Sequence, residues 1–149
     1  MVAVGVFAAW LGGRALWLVP LAFVAMMGFG GWLGVEAIQV PYVEAGIAAS
    51  VIVLGVAVAL RVKLPAAAAA TLVGLFAIFH GHAHGAEMPM DASGLGYAAG
   101  FMFATALLHG AGIGLGIGVA KLGRHSDLAL RASGGGMAAL GVAILAGVI

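Results

Sequence analysis

Leu64-Pro65-Ala66-Ala67-Ala68-Ala69-Ala70-Thr71-Leu72-Val73-Gly74-Leu75-Phe76-Ala77-Ile78 runs directly into Phe79-His80-Gly81-His82-Ala83-His84-Gly85-Ala86-Glu87. The first part carries one polar side chain, Thr71. The second packs three of the chain's five histidines and one of its five acids into nine positions. On a helix, residues three and four apart share a face. His80, His84 and Glu87 therefore point one way, and His82 points roughly opposite. Two imidazoles one turn apart and a carboxylate suit a borderline divalent cation. A histidine-rich loop that is merely hydrated is the plainer reading, because a short histidine tract is compositional evidence only.

The rest of the chain decides the setting. Of 149 residues, 64% are hydrophobic and 7% charged, with a mean hydropathy of +1.22. A soluble domain covers its surface with about 25% charged residues. This chain cannot, so its solvent is the lipid bilayer. A net charge of +1 without a basic run excludes a nucleic-acid binder. The absence of cysteine excludes disulfides, thiolate metal sites and a cysteine nucleophile.

Working outward, residues 66–84 form one span. Before it lie spans at 15–35 and 42–60, and after it spans at 95–122 and about 128–149. Residues 1–11 are apolar but only about 16 Å long as a helix, where spanning takes about 20 residues. They lack the basic region and cleavage site of a signal peptide. The expected fold is all-α: one polytopic membrane bundle over residues 1–149, with five full transmembrane helices and a truncated first one. Gly30 and Gly34 form a small-xxx-small pair that permits close helix approach. Trp17 and Trp32 sit near the two ends of their span, as belt aromatics do.

The basic residues alternate from turn to turn. Arg14, then Arg61 and Lys63, then Lys121, Arg124 and Arg131 fall on one side. Glu36, Glu44, Glu87, Asp91 and the His80–His84 cluster fall on the other. The positive-inside rule puts the basic side in the cytoplasm, with both termini outside.

Ionisable groups inside a membrane are costly and mark functional sites by default. Besides the histidine cluster, Glu44 lies one turn into its span and His109 lies near mid-span. His109 has Thr105 one turn before it and Gly112 and Gly116 after it, so a neighbouring helix can approach closely. The plainer readings are an interfacial carboxylate for Glu44 and a hydrogen-bonded core histidine for His109. His125 stands among charges in a basic turn and is expected to be solvated. The alternating glycines 110 to 118 have no preceding strand and lie in a span, which excludes a phosphate loop. The order His-Gly-His-Ala-His lacks the internal Glu of a membrane zinc protease, so an enzyme is not expected.

The stretch Phe79 to Glu87 resembles the HupE/UreJ family of bacterial nickel/cobalt permeases, which accompany hydrogenase or urease maturation. The resemblance covers nearly the whole chain. Val43-Glu44-Ala45-Gly46-Ile47-Ala48-Ala49-Ser50 is similar to the family's Glu-bearing helix. Ala104-Thr105-Ala106-Leu107-Leu108-His109-Gly110-Ala111-Gly112-Ile113 is similar to its histidine-bearing fifth helix. Family members open on a cleaved signal peptide and a first helix with a His-Pro-x-x-Gly-x-Asp-His motif. Met1-Val2-Ala3-Val4-Gly5 resembles the part of that helix just beyond the motif, which implies a start at an internal methionine without it.

The resemblance implies an inner-membrane permease for Ni²⁺, with Co²⁺ as second candidate, and hydrogenase or urease maturation proteins as downstream partners. The metal would be held by His80, His82, His84, Glu87, Glu44 and His109, without an organic cofactor. Three other readings stay open. One is a copper-handling protein using His80, His84, Met88 and Met90. Another is a haem subunit with His80 or His84 and His109 as axial ligands, and the last is a purely structural subunit.

Overall fold

A computed structural model describes residues 1–91 and 93–148. It contains six α-helices: α1 Val2–Leu11, α2 Ala15–Val35, α3 Val43–Ala59, α4 Ala66–Ala86, α5 Gly94–Ala120 and α6 Ser126–Leu145, the last preceded by a 3-10 turn, Gly123–His125. No strand occurs among the described residues. Four helices, α2, α4, α5 and α6 with its 3-10 lead-in, are long and apolar enough to cross a bilayer. The all-α membrane bundle expected from composition is what the chain forms. α3, at 17 residues, is two shorter than the expected 42–60 span and extends about 26 Å at 1.5 Å per residue. α1, at 10 residues, is the expected half-helix.

Local chemistry explains most boundaries. Pro65 precedes α4, where its missing N–H costs nothing. Ser93 caps α5, its hydroxyl accepting the Gly96 N–H at 3.3 Å. α6 starts two residues earlier than expected because Asp127 fits its first turn, where a carboxylate is favoured by the helix dipole. Pro20 sits inside α2, yet the helix continues through it.

The helices assemble as pairs: α2 with α4, α3 with α6, and α1 with α5. In lipid there is little hydrophobic drive between helices, so close backbone approach through small residues takes over. In the α2–α4 pair, a Cβ on Gly81 would run into the Met27 carbonyl, and one on Gly34 into the His82 carbonyl. Gly55 meets Gly134 in the second pair, and Gly5 meets Gly112 in the third. Gly110, Gly114 and Gly118 face open space, so only part of the alternating glycine run is an interface. Phe7, Phe23, Met27, His109, Val19, Val58 and Val73 fill the centre.

The turns sort by charge as expected. Arg61 in the α3–α4 turn pairs with Asp127 of α6 at 2.7 Å, and Lys63 donates to the Trp10 carbonyl at the end of α1. The basic turns thus meet at one end of the bundle. The α2–α3 turn and the end of α4 meet at the other, through His82 and Ile38.

Candidate metal path

α4 delivers its three histidines to three different places. His80 turns into the bundle, where its Nε2 lies 3.0 Å from Ser50 Oγ on α3. Ser50 itself donates to the Ile47 carbonyl at 2.6 Å. His82 turns the other way and its Nε2 meets the Ile38 carbonyl at 2.9 Å, tying the α2–α3 turn to α4. His84, one turn beyond His80, stacks on Phe101 of α5 with centroids 5.1 Å apart and planes 9° apart.

His109 is the deepest ionisable side chain, at 1% exposure. α1 closes over it, since Gly5 packs on its backbone. Thr105 is no partner for it: that hydroxyl reaches the Met27 sulfur at 3.5 Å instead. Neither ring nitrogen of His109 has a hydrogen-bond partner. A neutral imidazole carries one N–H and one lone pair, and leaving such groups buried and unpaired costs about 1–3 kcal/mol each. The hydrogen-bonded core histidine of the plainer reading is not what forms.

Between the two inward histidines stands Phe23 of α2. Its ring centroid is 5.5 Å from that of His80, tilted by 49°. It is 5.0 Å from that of His109, edge-on at 90°. His84, His80, Phe23 and His109 thus form a descending series contributed by α4, α2 and α5. Met27, one turn from Phe23 and fully buried, places a thioether beside Thr105.

The expected carboxylates are elsewhere. Glu87 caps the end of α4 and is exposed, and Glu44, in the first turn of α3, is exposed too. Among the described residues, no three His, Asp or Glu side chains come close enough together to hold an ion at once. The expected common face of His80, His84 and Glu87 is divided. His80 is packed against α3 and α2 and His84 against α5, while Glu87 stands in the polar layer beyond the last buried glycine, Gly85.

Ser50, Phe23 and Met27 were not singled out by sequence reasoning. Ser50 did leave a signal, being the lone polar residue of α3 besides Glu44; a hydroxyl within a span seeks a partner across helices. Phe23 and Met27 left none among so many apolar neighbours.

The model of the family described as HupE / UreJ protein matches residues 1–144. The chain is 48% identical over 147 residues to the "Protein HupE" of Rhizobium leguminosarum bv. viciae, covering 99% of this chain and 76% of that protein. No solved structure matches.

Proposed function

Because the chain belongs to the HupE/UreJ family of permease-type membrane accessory proteins, which are not enzymes, we propose that it carries Ni²⁺ across the bacterial inner membrane toward hydrogenase or urease maturation. Co²⁺ is the second substrate. The ion enters at the histidine end, where exposed Glu44 and Glu87 raise its local concentration, passes His84 and His80, and reaches His109.

One observation carries this reading: an imidazole enclosed in the core with both nitrogens unpartnered, one aromatic ring away from a second imidazole. A packing histidine would satisfy its N–H. A histidine that receives and releases an ion must keep a nitrogen free. Single-donor stops in series bind weakly at each point, so the ion can leave as well as enter. The membrane potential adds about 4.6 kcal/mol per 100 mV for a divalent cation moving inward.

The competing readings fit less well. Haem needs a flat cleft between its axial histidines, and Phe23 fills the space between His80 and His109. In the copper reading Met90 would be a ligand, but it is fully exposed.

Changing His109 to Gln tests the proposal. Gln keeps a hydrogen-bonding group but loses the aromatic nitrogen donor, so nickel uptake should fall at least tenfold while membrane insertion stays normal. Normal uptake by His109→Gln would remove His109 from the path. The meeting of the basic turns at one end supports placing that end in the cytoplasm, by the positive-inside rule. Single cysteines replacing Asp91 and Ser126 should label from opposite sides of spheroplasts, with Asp91→Cys reacting with an impermeant reagent; equal labelling would refute it.

A further inference from the structure

Resting on the permease reading, we propose that Ser50 is a positioning residue that holds His80 as its Nε2–H tautomer, so that Nδ1 is the nitrogen that meets the ion. A serine hydroxyl has one proton and two lone pairs. The Ile47 carbonyl can only accept, and Ser50 Oγ lies 2.6 Å from it, so the hydroxyl proton goes there. What remains for His80 Nε2, at 3.0 Å, is a lone pair. A contact between a lone pair and a nitrogen at that distance is a hydrogen bond only if the nitrogen carries the proton. A neutral imidazole has one N–H, so Nδ1 is left bare, and no hydrogen bond reaches it among the described residues.

Ser50 is 3% exposed, so water cannot replace the hydroxyl. Phe23 lies against the His80 ring, with centroids 5.5 Å apart. Fixing the tautomer of a ligating histidine by a hydrogen bond to its other nitrogen is a general device of metal sites, and losing the partner costs roughly 10–100-fold in affinity. Here the partner comes from α3, so the helix that bears exposed Glu44 at its start also sets the chemistry of a histidine on α4.

The test uses purified protein with ¹⁵N-labelled histidine, and NiCl₂ as the probe. NMR should show, beside the Nε2–H ring of His82, a second Nε2–H imidazole whose signals vanish in His80→Gln, which assigns them. In Ser50→Ala, that resonance should shift toward a mixture of tautomers, and calorimetry should show nickel binding about tenfold weaker. Ser50→Thr keeps the hydroxyl and should restore both readouts. A mere packing role would move neither the tautomer nor its rescue by Thr. An Nδ1–H form for His80 in the wild type would overturn the inference. So would wild-type nickel affinity in Ser50→Ala, whatever its tautomer. Wild-type protein that binds no nickel would overturn the permease reading itself, an outcome distinguishable because it precedes any substitution.

Discussion

At the basic end of the bundle Trp10 is held from several directions, whereas at the histidine end a single side-chain hydrogen bond joins the turns among the described residues. The Trp10 indole N–H donates to the Val62 carbonyl at 3.0 Å. Lys63 lies over its ring with Nζ 3.6 Å from the centroid, and the Arg61 guanidinium stands 4.7 Å from it. Arg61 also pairs with Asp127, and its backbone sits at φ 56°, a left-handed conformation uncommon for a residue with a long side chain. Partial burial, and then the neighbouring Arg61 charge, pull the Lys63 pKa below its ordinary value. At the other end the acids Glu36, Glu44, Glu87 and Asp91 are all exposed, and no ion pair joins them among the described residues. His82 to Ile38 is the tie there. The contrast is between a basic end knit together around Trp10 and an acidic, histidine-bearing end whose carboxylates are exposed.

That contrast presupposes a rigid middle, and the largest expected effect comes from breaking it. Gly81→Ala places a methyl group against the Met27 carbonyl and the Gly31 backbone, neither of which can move alone. Overpacking of this kind costs about 1–3 kcal/mol where side chains can shift, and more where the obstacle is backbone. Gly81→Ala should therefore lose most of its monodisperse protein in detergent. Gly110→Ala, which meets open space, should keep it. Equal behaviour of the two would mean that α2 and α4 are not packed glycine to backbone, and that the two ends are not held in fixed relation.

A smaller effect separates the ends themselves. Trp10→Ala removes a half-buried ring, one hydrogen bond and two cation–π contacts. Truncating a fully buried aromatic costs about 3–5 kcal/mol, so about 2 kcal/mol is expected here. Thermal unfolding in detergent should show it, with Trp10→Phe recovering part through the ring alone. No loss of stability in Trp10→Ala would show that the basic end is not stapled by this residue.

The legible and the illegible parts of the chain divide along a physical line. The lipid solvent forces long apolar helices and sorts charge by side, so the spans and the meeting of Arg61, Lys63 and Asp127 at one end follow from spacing and composition. Close packing through Gly30, Gly34, Gly112 and Gly116 was readable for the same reason, since small residues are what lets helices approach without a hydrophobic drive. Partners across helices were not readable. Spacing says that His80 and His84 share a face of α4, but the neighbouring helix differs at each level. His80 therefore finds Ser50 and Phe23, while His84 finds Phe101. Nor does periodicity say that the neutral ring of Phe23 lies between two imidazoles, because every helix here is apolar nearly all round and shows no face to place.

His82 bears on the comparison with the smallest expected effect and the sharpest division of roles. It belongs to the same tract as His80 and His84, and by composition is an equal ligand candidate. Its ring, however, is committed to the Ile38 carbonyl at 2.9 Å, two positions round the helix from the inward path. A carbonyl can only accept, so Nε2 is the donor nitrogen of that ring and acts as a tie for the α2–α3 turn. Removing an exposed hydrogen bond of this kind costs about 0.5–1.5 kcal/mol. His82→Ala should therefore leave nickel affinity unchanged by calorimetry, while amide exchange speeds up in residues 36–42. The same substitution at His84, whose ring stacks on Phe101 and whose nitrogens make no hydrogen bond among the described residues, should weaken nickel binding and leave that turn protected. A tenfold loss of nickel affinity in His82→Ala would reverse the assignment and make His82 a ligand through Nδ1, the nitrogen that its bond to Ile38 leaves bare.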